Sequence, residues 1–550
     1  MLTAGVKFTH DAAVAVFDGN RLLFSIEAEK VANGARYAKF KNGWVDAHAI
    51  LKREGIALKD INSWSIDGGK AGGISHMPGE IISRYHEFDG PVTVFPSRTR
   101  QENGIHSFSH VAGHVIGAYA LSPFSATKTP CYVIVADGGL NPRAYRVDPK
   151  ANRYHFVGAA SPIYGKIFSI AGYYFGPYRD SDILARVDRN EPDLYGQYDW
   201  PGKLMSWVAT AVDPELCITP FIYGAMREAF RNFPSAGDLS HAADGHIEHE
   251  VCRALRKLAD DTGLDDASAL GALHRAIADI WIDALVNIVP MSAPMIFTGG
   301  SALNIKLNSR LAAIWNLWVP PVANDSGSAI GAACCALLYD QGISSVEWSV
   351  FSGPKLLPIP LQIPGWYRHS GGKRAIAEAV TAICSGAIVM KLSGRSEIGP
   401  RALGARSLLA SPFSVEVRDA LNAAKGREAW RPVAPICLSE EAEWYFDGKS
   451  DDHFMLYDHN VRHPGIKAVE HIDGTARTQV VLPEDVFTKE ILIEHKRRTG
   501  CGILCNTSAN ENGKGFFGDF ETASTWAAEK GVDYILYDAE LYVRYNGKEG

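Results

Sequence analysis

The sequence predicts an α/β fold with a duplicated first domain and a smaller second one, and three observations carry that expectation. Strand-like alternation broken by glycine turns opens the chain and recurs near Cys131. Helix-period stretches follow each copy. The pattern then fails in a Pro- and Gly-rich stretch after Leu338 and resumes at Ile376. At 550 residues the chain exceeds one ordinary core, given roughly 150 residues per domain. The expected division is 1–352 and 353–550.

In AGVKFTHDAAVAVFDGNRLLFSIEAEK, apolar and polar residues alternate on both sides of Asp18-Gly19-Asn20, a hairpin signal. CYVIVADGGLNPRAYRVDPKANRYHFVGAA repeats the arrangement of strand, glycine turn and strands. WVDAHAILKREG and HVAGHVIGAYAL read as helices after the first copy, and ALGALHRAIADIWIDALVNIV after the second. GAACCALLYD reads as a further helix. FSGPKLLPIPLQIPGWYRHSGGKR reads as a linker. Beyond it, AIAEAVTAICSG is a helix, AIVMKL a strand, and strands and short helices continue to the end.

A hydrophobic content of 46% and a charged content of 21% are those of a soluble globular protein. The net charge of −7 argues against nucleic-acid or polybasic membrane binding. The N-terminus lacks a charged segment followed by a long apolar run, and no stretch is apolar enough to span a membrane, so a cytoplasmic protein is expected. Nine scattered cysteines suit reduced, buried thiols. Cys501 and Cys505 share one face of a strand-like CGILC, with core packing favoured over a metal knuckle.

Against this acidic background, Gly394 to Pro432 gathers Arg395, Arg401, Arg406, Lys425, Arg427 and Arg431 around GPRALG and WRP turns. Guanidinium forks grip phosphate or carboxylate in two places, and glycine lets backbone N–H groups approach, so the stretch predicts a small-anion site. Arg477 in HIDGTARTQ follows a glycine turn and can join it. CNTSAN supplies Asn506, Thr507, Ser508 and Asn510 at a strand end, suited to a triphosphate or an adenylate. With no obvious nucleophile, these groups point to electrostatic catalysis of transfer at a phosphorus or acyl centre.

In the first domain, His110 and His114 in SHVAGH have the i, i+4 spacing that places two rings on one helix face. Asp137 follows the strand CYVIVAD, and Asp325 opens a helix in NDSGSAIGAA. Two imidazoles and two carboxylates suit iron, manganese or zinc. Gly138-Gly139 and Gly299-Gly300, the latter in TGGSALN with Asn304, lie in turns after strands and read as loops of a nucleotide or phosphate cleft. His10, beside Asp11 at the tip of the first hairpin, is a candidate general base.

Assembled in this order, the motifs resemble the O-carbamoyltransferases, the family of the nodulation-factor, cephem and aminoglycoside carbamoyltransferases. HDAA, SHVAGH, ADGG, TGGSALN and NDSGSAIGAA look like its N-terminal signatures. GPRALGARSLL, LNAAKGREAWRPVAP, VEHIDGTARTQ and CNTSANENGKG look like its C-terminal ones. The resemblance implies an actin/sugar-kinase-like ATPase superfold, similar to the tRNA threonylcarbamoyl transferase, followed by a YrdC-like domain.

It also implies a reaction. The second domain would make carbamoyl adenylate from carbamoyl phosphate and ATP with Mg2+. The first would pass the carbamoyl group to a hydroxyl of a small-molecule acceptor, a natural product or sugar. By the same resemblance His110, His114, Asp137 and Asp325 match metal ligands, usually of iron(II), and His10 would activate the acceptor. Lys425, Arg427, Ser508 and Asn510 match phosphate and nucleotide positions, and Arg401, Arg431 and Arg477 match anion positions.

The family's EEERFTRxKH stretch reads EAEKVANGARYAKF here, so Arg36 or Lys39 would stand for its catalytic lysine. The insert NEPDLYGQYDWPGKLMSW, rich in Tyr, Trp and acids, could cradle a sugar or cationic acceptor or form a plain surface loop. A fused threonylcarbamoyl tRNA-modifying enzyme would share both folds but would need a basic face for tRNA. A binding protein without turnover would have lost the polar motifs. A homodimer is expected only as the commonest symmetric assembly.

Overall fold

The computed structural model describes residues 1–31, 33–68, 99–100, 105–161, 163–188, 199–211, 224 and 246–545. Residues 190–198 of the aromatic insert lie outside them. The chain forms two compact units. One comprises Met1–Phe88, Pro96–Ala126 and Pro320–Gly550, and the other Asp89–Phe95 with Thr127–Val319. The first unit therefore joins the opening strands to everything after residue 353.

Its first sheet contains β1 (Leu2–Lys7), β2 (Ala13–Asp18), β3 (Arg21–Glu27), β4 (Ile61–Asp67), β5 (Thr99–Arg100) and β6 (Ile105–Phe108) in the order β3-β2-β1-β4-β6-β5. The β2–β3 hairpin turns at Asp18-Gly19-Asn20 as expected, with Gly19 at φ +56°. β1 pairs antiparallel with β2 and parallel with β4, which in turn runs parallel to β6.

The second unit carries β7 (Cys131–Asp137), β8 (Leu140–Asp148), β9 (Arg153–Ala159), β10 (Met295–Thr298) and β11 (Leu317–Trp318) in the order β11-β10-β7-β8-β9. Here β7 is antiparallel to β8 and parallel to β10, and β10 is parallel to β11. Five strands of each sheet, β3-β2-β1-β4-β6 and β9-β8-β7-β10-β11, follow the same order and the same directions, so the duplication read from the sequence is real at the level of topology.

The rest of the first unit contains β12 (Trp366–Gly371), β13 (Val389–Leu392), β14 (Arg406–Ala410), β15 (Ala434–Cys437), β16 (Phe446–Asp447), β17 (His459–Val461), β18 (Thr475–Ala476), β19 (Gln479–Val480), β20 (Ile503–Ser508), β21 (Tyr534–Tyr537) and β22 (Glu540–Arg544). Eight of these build one mixed sheet, β12-β22-β21-β13-β14-β20-β15-β19. Alternation sends successive side chains to opposite faces. Leu408 and Ala410 of β14 accordingly join one buried cluster and Leu409 another. The helix Gly372–Cys384 covers the face of Leu409, with Ile376, Val380 and Ile383 buried against it.

Two helices position the first site. His110–Leu121 is buried along its whole length, and its N-cap Ser109 Oγ accepts from Ala112 N at 3.1 Å. Ser328–Gln341 crosses it so closely that a Cβ on Gly117 would lie 2.7 Å from Gly331 Cα. The same helix presses on β1, where a Cβ on Gly5 would lie 1.9 Å from Ala329 O. Glycines at these contacts let the backbones touch and bring the helix starts together. The described cysteines are all free, and Cys501 and Cys505 are buried in the core. No helix among the described residues is long and apolar enough to cross a membrane.

Candidate active site

Within the first unit, β1, β4 and the starts of the two helices meet at five buried polar side chains. Asp67, the last residue of β4, takes His110 Nδ1 at 3.0 Å, and Lys7, the last residue of β1, bridges Asp67 at 2.9 Å and Asp325 at 3.0 Å. An ionised carboxylate only accepts, so His110 Nδ1 donates to Asp67 and Nε2 faces the other way. It faces Asp325 Oδ1 at 3.2 Å and His114 Nε2 at 3.2 Å, while His114 Nε2 stands 3.3 Å from the same oxygen.

Asp325 Oδ1 is buried without a hydrogen bond. Three donor atoms about 3 Å apart around one point match the spacing of neighbouring ligands on a metal bound at about 2.1 Å. His110, His114 and Asp325 thus fit a divalent cation. Burial pushes the Asp67 carboxyl up, but His110 and Lys7 outweigh it and hold it well below the usual range. Asp325 is likewise held low against burial by His110 and Lys7. The Lys7 ammonium, which burial would destabilise, is held charged by Asp325 and Asp67.

His10 lies in the loop joining β1 to β2, its Nδ1 3.0 Å from Asp11 and 3.6 Å from Asp325. Asp11 sits at φ +56°, a left-handed conformation rare outside glycine that turns its carboxylate toward the ring. Burial lowers the His10 pKa, but the bond to Asp11 and the charge of Asp325 raise it above 6.5 overall. Lys7 and Asp67 carry no sequence motif and were not singled out from the sequence. Their signal is a charged residue closing each of two otherwise apolar neighbouring strands.

In the second unit Asp137 ends β7, and its Oδ1 accepts from Gly300 N at 2.7 Å. The structure thus joins the Gly138-Gly139 and Gly299-Gly300 turns at the ends of the parallel pair β7 and β10. Gly299 is at φ +92°, where a Cβ would lie 2.3 Å from Ala136 O. Asn304 caps a helix instead, its Oδ1 accepting from Leu307 N at 3.1 Å.

The cationic stretch divides. Arg406 is fully buried and donates to the carbonyls of Ser393, Ala405, Pro354 and Gly394. Arg395 pairs with Glu54 at 2.5 Å and donates to Gly353 O. Both are structural. Arg401, Lys425, Arg427 and Arg477 instead converge with Arg431, close enough to one another or to it for their charged forms to be disfavoured. Burial and then Arg477, Arg36 and Arg431 hold Arg401 well below its ordinary pKa, and burial with Arg427 and Arg36 does the same to Lys425.

Arg401 Nε and Arg477 Nε are buried without a hydrogen bond. Lys425 Nζ donates to Ser508 O at 2.7 Å and Asn510 Oδ1 at 2.5 Å, holding the last three residues of the CNTSAN motif. Thr507 lies in β20 opposite Leu408 of β14. Asn506 turns inward, donating to Ala402 O at 3.1 Å and Gln479 Oε1 at 2.9 Å, and so supports the turn bearing Arg401.

Arg36 lies close enough to this cluster to disfavour the charged forms of Arg401 and Lys425. It arrives on a strand-like segment in which Arg36 N donates to Gly513 O at 3.0 Å and Gly515 N to Gly34 O at 2.9 Å. Lys39 is exposed.

These two constellations occur in a member of a transferase family. Residues 3–88 and 84–334 match the family described as Carbamoyltransferase N-terminus, and residues 380–544 match Carbamoyltransferase C-terminus. The chain belongs to the carbamoyltransferase family and is a transferase.

Among relatives, it is 35% identical to Nodulation protein U of Sinorhizobium fredii over 98% of this chain and 99% of that protein. It is 28% identical to the 3'-hydroxymethylcephem-O-carbamoyltransferase of Amycolatopsis lactamdurans over 100% of both. Solved structures similar to it include an activator of 2-hydroxyisocaproyl-CoA dehydratase from Clostridium difficile with bound ADPNP. That likeness has a TM-score of 0.33 and 13% identity, covering 64% of this chain and 100% of the other. A ROK family glucokinase from Streptomyces griseus, in complex with glucose and AMPPNP, gives a TM-score of 0.25 and 15% identity over 60% of this chain and 98% of its own.

Proposed function

We propose that this protein is an ATP-dependent O-carbamoyltransferase that makes carbamoyl adenylate at the Arg401–Arg477 cluster and delivers the carbamoyl group to an acceptor hydroxyl at the His10–His110 site. The observation that carries the reading is the convergence of Arg36, Arg401, Lys425, Arg427, Arg431 and Arg477, with two guanidinium Nε atoms buried and bare, in a chain of net charge −7. A multiply charged anion bound there would relieve this repulsion.

Carbamoyl phosphate and one water give carbamate and phosphate. A carbamate oxygen then attacks the α-phosphorus of ATP and pyrophosphate leaves, so atoms and charge balance. Lys425 and the arginines neutralise the phosphates, and Ser508 and Asn510 orient the nucleotide.

In the second step the acceptor hydroxyl oxygen attacks the carbamoyl carbon and AMP departs. His10, oriented by Asp11, takes the hydroxyl proton. His110, His114 and Asp325 would hold a divalent metal, to which the family resemblance adds Asp137, and a bound metal would polarise the carbamoyl carbonyl. Asp67 fixes the His110 tautomer. The cephem relative's name specifies a hydroxymethyl acceptor, and a hydroxyl on a small molecule is the corresponding acceptor class here.

Without an acceptor, the protein should release pyrophosphate from ATP only when carbamoyl phosphate is present. Pyrophosphate release indifferent to carbamoyl phosphate would refute the activation step.

A further inference from the structure

The turn that presents Arg401 is held from the far end of the sequence. Lys30, on the short 3-10 turn after β3, is 1% exposed, and its Nζ donates to Glu397 O and Gly399 O, both at 2.7 Å. Its third partner is the Glu27 carboxylate, and Glu27 Oε1 accepts from Gly399 N at 2.7 Å. The ammonium's three donors are thus all used, two of them on the residues that lead into Pro400 and Arg401.

The turn is also closed from within. Glu397 Oε1 accepts from Leu403 N and Ala405 N, each at 2.7 Å. On its other side, Asn506 and Gln479 donate to Ala402 O and Leu403 O. Residues on both sides of Arg401 are therefore tethered while its own Nε is left bare. Gly399 sits at φ +80°, where a Cβ would lie 2.5 Å from Pro321 O, so the turn has no room to relax by shifting toward Pro321.

A buried ion pair is costly as a stability device, since well-packed apolar residues often do as well. Its geometry is better suited to fixing a position. We propose that Lys30 and Glu27 are positioning residues of the anion site, clamping Glu397 to Gly399 so that the Arg401 guanidinium meets the carbamoyl phosphate or ATP phosphates. The inference rests on the reading of Arg401 as an anion ligand. It makes the anion site composite, with a clamp from the first hairpin on a turn of the C-terminal sheet.

The test is a double-mutant cycle on acceptor-free pyrophosphate release, with the full-length chain. Arg401→Ala should raise KM for carbamoyl phosphate or ATP on the order of a hundredfold, the range of a lost charge-assisted contact, and Lys30→Met about tenfold. In the double variant Lys30→Met should add no more than about twofold, because it acts through Arg401.

Lys30→Arg, which keeps the charge, should restore most of the loss. Glu27→Gln provides a milder second arm if Lys30→Met folds poorly, with the same non-additivity expected. Full additivity of both arms, or unchanged KM in both, overturns the clamp. An Arg401→Ala protein with unchanged KM would instead overturn the underlying reading of the anion site.

Discussion

Lys425→Met removes one fixed charge from the anion cluster while keeping the length of the side chain. Lys425 Nζ donates to Ser508 O, Asn510 O and Asn510 Oδ1, so three oxygens lose their donor. At about 1 kcal/mol or slightly more for each, stability should fall by about 2–4 kcal/mol, read from the urea midpoint. A unit charge about 4 Å from a phosphate is worth about 4 kcal/mol at an effective dielectric of about 20. Carbamoyl phosphate-dependent pyrophosphate release should therefore drop by at least about a hundredfold, with metal content unchanged.

The same substitution makes a pH prediction. Burial, Arg427 and Arg36 hold the Lys425 pKa well below 10.5. Below 10.5, and down to its depressed value, the folded protein binds fewer protons at this position than the unfolded chain. This group's contribution to unfolding free energy therefore rises with pH. Subtracting the variant cancels the buried thiols, whose raised pKa values act in the opposite direction. The wild-type advantage should then grow as pH rises from that depressed value toward 10.5. Pyrophosphate release within threefold of wild type by a folded Lys425→Met protein would refute the reasoning.

Arg36→Ala should raise KM in the pyrophosphate assay about tenfold while leaving transfer from supplied carbamoyl adenylate near wild type, and the reverse pattern would return Arg36 to the transfer step. Asp325→Asn should reduce bound metal, measured by elemental analysis after dialysis, to under about a tenth, and Asp67→Asn should weaken metal affinity about 10- to 100-fold by releasing the His110 tautomer. Arg406→Leu should cost about 3–5 kcal/mol in urea unfolding, because four carbonyls lose a buried charged donor.

The hairpin at Asp18-Gly19-Asn20 and the helix His110–Leu121 were legible because their signals are local: a turn dipeptide in one case and periodicity in the other. The duplication was legible because the same local pattern occurs twice. His110, His114 and Asp325 could be grouped only as motifs. What joins them in space is glycine contact between helices more than 200 residues apart, with Gly117 against Gly331, and no local pattern encodes it.

Lys7 and Asp67 were missed for the same reason, since a lone charge at a strand end looks like any solvated terminus until two strands pair. The Arg-rich stretch misled in part. Composition counts Arg395 and Arg406 with Arg401, yet burial against carbonyls makes the first two structural. The strand-like pairing of residues 34–36 with 513–515 brings Arg36 near the anion cluster, a long-range neighbourhood that its place in the sequence does not reveal.

The most direct test of the proposed chemistry is incubation of the full-length protein with ATP, Mg2+, carbamoyl phosphate and a panel of hydroxylated small molecules, read by mass spectrometry. One acceptor should gain a single carbamoyl group for each AMP formed, and omission of either ATP or carbamoyl phosphate should abolish the gain. Carbamoylation that proceeds without ATP, or AMP formation that never yields a carbamoylated hydroxyl, would contradict it.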